Sequence, residues 1–325
     1  MRRAIGIAFL AAIVAIGAML GCGGKMDPPG ELYKEPRLSI YLYSGEYAGF
    51  EGASWLGVTG GRLFATFPGS GAVVAFNSRA EAANDVEFTG SQIPYLVGVG
   101  TYEIAVADSA DTTVTVNAYS IGGGDPLWAV VDTDWVEIGG LAIHDDGYIY
   151  VSDARSNFVR AYDTDGSLMF GEDLADMGFG LGHVMGPRGI FIEEDTLYIA
   201  EADPEKAQVQ RILVTVPQTG VPFSDTRPFL STFIDTLGLE LPLIEPIAVC
   251  VSFNGQIFVL DAGHGVIIEY NRDGTTAAIV TAPTSGGPVP LEGMNSIGPY
   301  GNRIYVLEPE AGVVHRWDKW GGSTQ

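Results

Sequence analysis

The sequence predicts an all-β fold, a six-bladed β-propeller in which an N-terminal strand completes the last blade. Three observations predict it. Strand-like apolar runs dominate after residue 37, and no stretch of a dozen residues carries a helical period. The runs repeat: an apolar segment with small residues, a turn, an aromatic-x-x-acidic run, then a large apolar residue nine to eleven positions later. The anchors of this repeat, at 67, 108, 153, 201, 261 and 308, lie 41, 45, 48, 60 and 47 residues apart. A period of 40–50 residues holding several short strands is the signature of a propeller blade.

The units follow in order. Two degenerate copies come first, Phe64-Ala65-Thr66-Phe67 leading to Phe76 and Ala105-Val106-Ala107-Asp108 leading to Tyr119. Tyr150-Val151-Ser152-Asp153 then leads to Tyr162, and Tyr198-Ile199-Ala200-Glu201 to Ile212. Phe258-Val259-Leu260-Asp261 leads to Tyr270, and Tyr305-Val306-Leu307-Glu308 to Trp317. A blade sandwiched between neighbours buries both faces of its strands, which accounts for runs that are apolar throughout instead of alternating. The repeated aromatics are expected to fill the wedge between blades. Two separate β-sandwiches, the alternative, do not require a repeated acidic register. The last unit stops short, since only DKWGGSTQ follows Trp317. Leu38-Ser39-Ile40-Tyr41-Leu42-Tyr43 meanwhile belongs to no repeat. It is expected to complete the sixth blade and remove its open edge, giving one domain over residues 37–325.

Residues 1–21 read as an export signal. Arg2 and Arg3 precede an unbroken apolar run from Ala4 to Leu20, and small residues follow. An uncleaved signal anchor is the alternative, as a run of this length only just spans a bilayer. Met19-Leu20-Gly21-Cys22 resembles the lipobox of bacterial lipoproteins, with Met19 in place of the usual Leu. That resemblance implies a diacylglyceryl group on Cys22 and attachment to the cell envelope through this lipid alone. Gly23 stands where inner-membrane retention signals place Asp, which by the same resemblance favours an outer-membrane address in a host with two membranes. Residues 23–36, rich in Gly and Pro, read as a tether that reaches about 45 Å when stretched. The only other cysteine, Cys250, lies in an apolar strand-like run and reads as a small buried hydrophobe.

Composition narrows the function classes. The chain has 325 residues, 46% apolar, which is enough for a sizeable core. Its 17 Lys+Arg against 40 Asp+Glu give a formal charge of −23. Phosphate backbones need a basic footprint, so nucleic acid is not an expected partner. The same sign opposes adsorption to anionic lipid.

Pro187-Arg188-Gly189-Ile190 through Glu201, and Pro246-Ile247-Ala248-Val249 through Asp261, resemble NHL repeats. So does Gly140-Leu141-Ala142-Ile143 through Asp153, Asn157, Val159 and Tyr162-Asp163-Thr164-Asp165-Gly166. The resemblance covers residues 137–318 well and 54–120 loosely. NHL propellers serve protein binding, RNA binding or lyase chemistry, so the family implies a scaffold and leaves the activity open.

Tests for chemistry give little. Metal-dependent lyases of that family gather histidines at the central channel, whereas His144, His183, His264 and His315 sit in four different contexts without close ligand spacing. Glu51-Gly52-Ala53-Ser54-Trp55 resembles the first-blade segment of calcium-dependent lactonases, where the Glu is a ligand. Asn295 is the candidate for a partner ligand. Asp163-Thr164-Asp165-Gly166 and Asn271-Arg272-Asp273-Gly274 look like calcium loops, but turn chemistry accounts for both. No cofactor is expected; zinc or calcium belongs to the alternative reading, a propeller lyase or lactonase with its site at the channel mouth.

The leading expectation is a non-enzymatic binding or scaffold module for a protein or envelope component. Asp108, Asp153, Glu201, Asp261 and Glu308 each end the second strand of a unit, on the rim where the connections between blades emerge. With Arg188, Asp203 and Glu205 they are the candidate rim residues. Each carboxylate is expected to accept backbone N–H bonds locally and shape the next turn, and together, whatever each does locally, they are expected to make a negative ring. Two long connections, 171–186 with Met177, Phe179, Leu181 and Met185, and 234–244 with Leu237, Leu239, Leu241 and Leu243, are expected to fold down and plug the channel mouth or, as the alternative, to add apolar contact area on that rim.

Overall fold

The computed structural model describes residues 41–319, apart from 84–85, 111–112, 170–172, 181, 215–228, 236, 285–286, 290 and 292. The signal, Cys22, the tether, Leu38–Ile40 and Leu181 lie outside the described residues.

Among the described residues there is no helix, and six antiparallel sheets of three or four strands follow one another along the chain. The first holds Trp55–Thr59, Arg62–Phe67 and Ala72–Asn77; the second Pro94–Val99, Glu103–Ala110, Thr113–Ser120 and Trp128–Val131. The third holds Ile138–Ile143, Ile149–Asp153 and Phe158–Tyr162; the fourth Pro187–Glu193, Thr196–Glu201 and Gln208–Leu213. The fifth holds Pro246–Val251, Ile257–Asp261, Val266–Tyr270 and Thr276–Val280. The sixth takes Ser296–Tyr300, Arg303–Glu308 and Val313–Lys319 from the end of the chain, and its fourth strand is Tyr41–Ala48. That strand runs antiparallel to Val313–Lys319, with Tyr43 opposite Trp317.

Small residues let the first strand of each sheet lie directly on the first strand of the next. A Cβ on Gly98 would stand 2.4 Å from the Leu141 carbonyl oxygen, and one on Gly140 equally close to that of Arg188. On Gly189 it would meet the Ala248 Cα at 2.7 Å, and on Gly57 the Val99 side chain at 2.4 Å. Gly298, in the last sheet, stands in the same relation to Val58 in the first, at 2.3 Å. Where the obstacle is backbone, no rotamer relieves it, so a side chain at these positions forces the sheets apart.

Farther out the sheets splay, and apolar side chains fill the space. Six buried clusters form, each drawn from two successive sheets, and one joins Leu56, Leu63 and Phe76 of the first sheet to Tyr305 and Leu307 of the sixth. Phe76, Tyr119, Tyr162, Ile212, Tyr270 and Trp317, the residues ending each repeat, are all buried. Their hydroxyls are satisfied: Tyr119 donates to the Thr89 carbonyl and Tyr270 to that of Thr232, each at 3.1 Å. Ile138–Ile143, Ile149–Asp153 and Thr196–Glu201 are buried at every position, as packing on both faces requires. Tyr41–Ala48 instead alternates half-buried with exposed, because it is outermost.

Candidate functional site

The sheets define two ends. At one, the second strands finish and the repeated acids lie; at the other, the first strands turn back into the second. We call them the carboxylate end and the hairpin end.

The repeated acids take the local role, accepting backbone N–H bonds. Asp108, Asp153, Glu201 and Asp261 are buried, and each carboxylate is spent on neighbouring N–H groups. Asp153 accepts from the Val136 and Glu137 amides of the incoming connection, and from the Arg155 and Ser156 amides of the following turn. Asp261 does the same with Ile244, Glu245 and Gly263, and pairs with the His264 ring at 2.8 Å. Asp108 holds the Gln92 and Ile93 amides at 2.6 and 2.7 Å. Glu201 accepts from the Met185 amide, from Gln208 and from the buried Lys206 ammonium at 3.0 Å. Burial pushes the Glu201 carboxyl above its ordinary range, and Lys206, Gln208 and the amide offset only part of that. Glu308 is half-buried and shares a hydrogen bond with His315 at 2.8 Å. The burial has a local cause. A carboxylate at the end of a second strand faces the unpaired amides of the chain entering the first strand, and these capture it before solvent does.

This capture puts a different chemistry on the rim. The residues pinned by these amides carry apolar side chains that project outward. Ile93, Val136 and Ile244 are 44%, 58% and 47% exposed, each with its own N–H on the carboxylate below. The sequence signal was an apolar residue one or two positions before each first strand, unremarkable in isolation.

The remaining predicted rim residues are dispersed. Arg188 is surface-exposed and paired with Glu137 at 2.6 Å, a contact worth little. Asp203 caps the Glu205 amide within its own turn, and Glu205 is exposed. The connection carrying exposed Met177 and Phe179 is tied to the carboxylate end, since Lys206 donates to the Gly178 and His183 carbonyls. The one carrying exposed Leu237 and Leu239 forms a hairpin, Thr232–Ile234 with Glu240–Pro242. Its Ile234 amide bonds to Thr276, in the outermost strand of the fifth sheet. The second connection also returns to the carboxylate end, where the Ile244 amide bonds to Asp261, so the two share that end and differ in their other supports.

The metal candidates are likewise separate. Asn295 donates to the Ser54 carbonyl and accepts from Ser296, joining the sixth sheet to the first, while Glu51 is exposed beside Gly312. His183 pairs with Asp176, His264 with Asp261 and His315 with Glu308. Among the described residues, no three His, Cys, Asp or Glu side chains gather as metal ligands. The two calcium-like segments are hairpin turns, with Gly166 and Gly274 at positive φ. Cys250 is buried, which pushes its thiol pKa well up.

A wide concavity lies at the hairpin end. A cavity of about 650 Å³ opens there, lined by the turns that follow the first strand of all six sheets. Toward the middle the axis narrows to a void of about 40 Å³ between Gly57, Gly98, Gly140, Gly189 and Phe191. The cavity's lining includes Asp145, Glu193 and Glu194, with His144, Phe253 and Tyr300. Phe253 is 96% exposed. Burial, then the nearby Glu194 and Asp145, raise the Glu193 carboxyl above its usual range. Sequence reasoning missed this site, because its charged and aromatic residues differ from sheet to sheet and sit at or just beyond the ends of the first strands.

No family model and no curated protein matches the chain. Solved structures do. Streptogramin B lyase is 13% identical with a TM-score of 0.53, covering 86% of this chain and 98% of that one. A chain of a nidogen/laminin complex is 17% identical with a TM-score of 0.54, covering 76% and 84%. A protein of unknown function from Bacteroides thetaiotaomicron VPI-5482 is 14% identical with a TM-score of 0.55, covering 87% and 73%. Identities this low speak to fold alone, and with the succession of antiparallel sheets they make the chain a β-propeller.

Proposed function

We propose that this chain is an exported, lipid-anchored six-bladed propeller of the NHL type, closed by its N-terminal strand. It acts as a non-enzymatic binding module for a protein or envelope component. The six sheets, the six inter-sheet clusters and the pairing of Tyr41–Ala48 with Val313–Lys319 support the closed ring. The anchor rests on Cys22 within Met19-Leu20-Gly21-Cys22, with residues 23–36 as the tether and an outer-membrane address in a two-membrane host.

The observation that carries the binding reading is the set of apolar side chains at the carboxylate end. Ile93, Val136 and Ile244 are held outward by amides fixed on buried carboxylates, and Met177 and Phe179 stand exposed in the same end's connection. Apolar groups held rigidly in water lose that exposure when a partner covers them. The acidic balance of the chain favours a basic partner and speeds its approach at low salt.

The test is affinity capture from solubilised envelopes with the full chain as bait. Val136→Ser, Phe179→Ser and Ile244→Ser combined are expected to reduce the captured partner about tenfold, as loss of a few apolar contacts does. The melting temperature should not move, since all three side chains are exposed. Phe253→Ala, at the opposite end, should capture as the parent does. Equal capture by parent and triple variant sinks this reading of the carboxylate end.

The anchor has its own test. Only the Cys22 thiol can form the thioether there, so Cys22→Ser is expected to leave an unprocessed precursor. Mass spectrometry that finds the parent chain unlipidated and beginning elsewhere would refute the anchor.

A further inference from the structure

We infer that the cavity at the hairpin end is a binding site for an organic cation, an ammonium head on an aromatic or aliphatic body. Its volume of about 650 Å³ suits a ligand of small-molecule size. Its charged lining is one-sided: Asp145, Glu193 and Glu194 contribute carboxylates, while no Lys or Arg lines it. Arg272, beside the cavity, is paired with Glu194 at 3.4 Å and is itself largely exposed. His144 is committed to its own turn, its Nδ1 accepting the Asp146 amide at 3.1 Å.

The aromatic content points the same way. Phe253 offers a ring almost wholly to water, and Tyr300 a second from the neighbouring sheet. A ring face attracts a cation through its quadrupole, and weakly hydrated alkylammonium ions gain most from it. Between the rings and the acids the floor is apolar, formed by Val58, Val99 and Ile143, so a hydrocarbon body has surface to cover. Glu193 is only half-exposed, so its attraction is less screened than that of a surface carboxylate.

The experiment is titration calorimetry on the purified full chain with three probes sharing one ring: benzyltrimethylammonium, benzyl alcohol and phenylmethanesulfonate. The ammonium ion is expected to saturate one site with a Kd of about 1 mM or below, the alcohol to bind at least about tenfold more weakly, and the sulfonate not at all. Glu193→Gln with Glu194→Gln should weaken the ammonium ion about tenfold and leave the alcohol unchanged. Phe253→Ala should weaken the ammonium ion severalfold. Glu194 and Phe253 are exposed and Glu193 is partly buried, so melting temperatures serve as the folding control. No saturable ammonium binding by about 10 mM overturns the inference, as does equal binding of the three probes. So does indifference to both sets of substitutions.

Discussion

Deleting residues 41–48 is expected to lower the melting temperature by about 10–20 °C, or to leave a chain that aggregates on expression. The strand pairs along the whole of Val313–Lys319, so its loss turns that strand into an unpaired edge. Side chains are lost with the ladder. Tyr43 stands edge-on to the buried Trp317 with centroids 5.4 Å apart, and its hydroxyl bonds to His315 at 3.1 Å. Tyr47 accepts from Arg316 at 2.7 Å, and Ser44 donates to Asp318 at 2.6 Å. Tyr41 reaches across to Phe258 of the fifth sheet, so the damage extends beyond one sheet. Removing two or three such aromatic burials costs about 1.5–3 kcal/mol each, and a domain this size loses roughly 2–4 °C per kcal/mol. Sheets packed only on their neighbours pass the loss from one to the next. Deleting residues 23–33 is the control and should be nearly neutral, since that segment has few large apolar side chains. Thermal melts of both truncations with light scattering decide the matter; equal melting temperatures would show that the N-terminal strand does not complete the ring.

The strand framework was legible because burial on both faces leaves a record in composition. Phe67, Asp153, Glu201, Asp261 and Glu308 end the second strands of their sheets as the spacing placed them, and only Asp108 is followed by two more strand residues. The local role of those acids was legible, but their partners in the preceding connection were not. Asp153 takes its first two donors from Val136 and Glu137, which lie in the preceding connection. Nothing in Tyr150–Asp153 itself distinguishes a carboxylate that faces water from one that meets those amides. The supports of the two long connections were equally hidden, since Lys206 and Thr276 lie outside the segments they hold. The cavity at the hairpin end was hidden for a third reason. Thr59, Thr101, Asp145, Glu193, Phe253 and Tyr300 lie at the ends of six first strands or in the turns after them, and four of the six sheets contribute a different residue type, so no repeated residue marks them. A repeated sequence discloses what each unit does alike, and a site built from the differences between units appears only when they are assembled.

Asp153→Ala is expected to destabilise the chain by about 3–5 kcal/mol, lowering its melting temperature by about 10 °C. The carboxylate is fully buried and accepts four amide hydrogen bonds, two from the connection that enters the third sheet and two from the turn that leaves it. Hydrogen bonds to a charged acceptor contribute about 1.5–3 kcal/mol each, but the four share one group, so their losses do not simply add. Water entering the vacated space would satisfy some of the donors, which keeps the loss below the full sum. Asp153→Asn separates charge from shape. Its carbonyl oxygen can still accept two amides, while its amide nitrogen is turned against the others, so it should fall between parent and Ala. Glu137→Ala is the surface control, since it removes only the exposed pair with Arg188 and should change stability by less than about 0.5 kcal/mol. Denaturant unfolding at neutral pH measures all three. Amide hydrogen exchange adds the local reading: Val136, Glu137, Arg155 and Ser156 should exchange faster in Asp153→Ala while amides of the first sheet hold their protection. Because the same carboxylate aims Val136 outward, the variant should also lose partner capture beyond what its stability explains. If Asp153→Ala unfolds within 0.5 kcal/mol of the parent, about the effect of a neutral surface change, the buried carboxylates are not what fixes the rim.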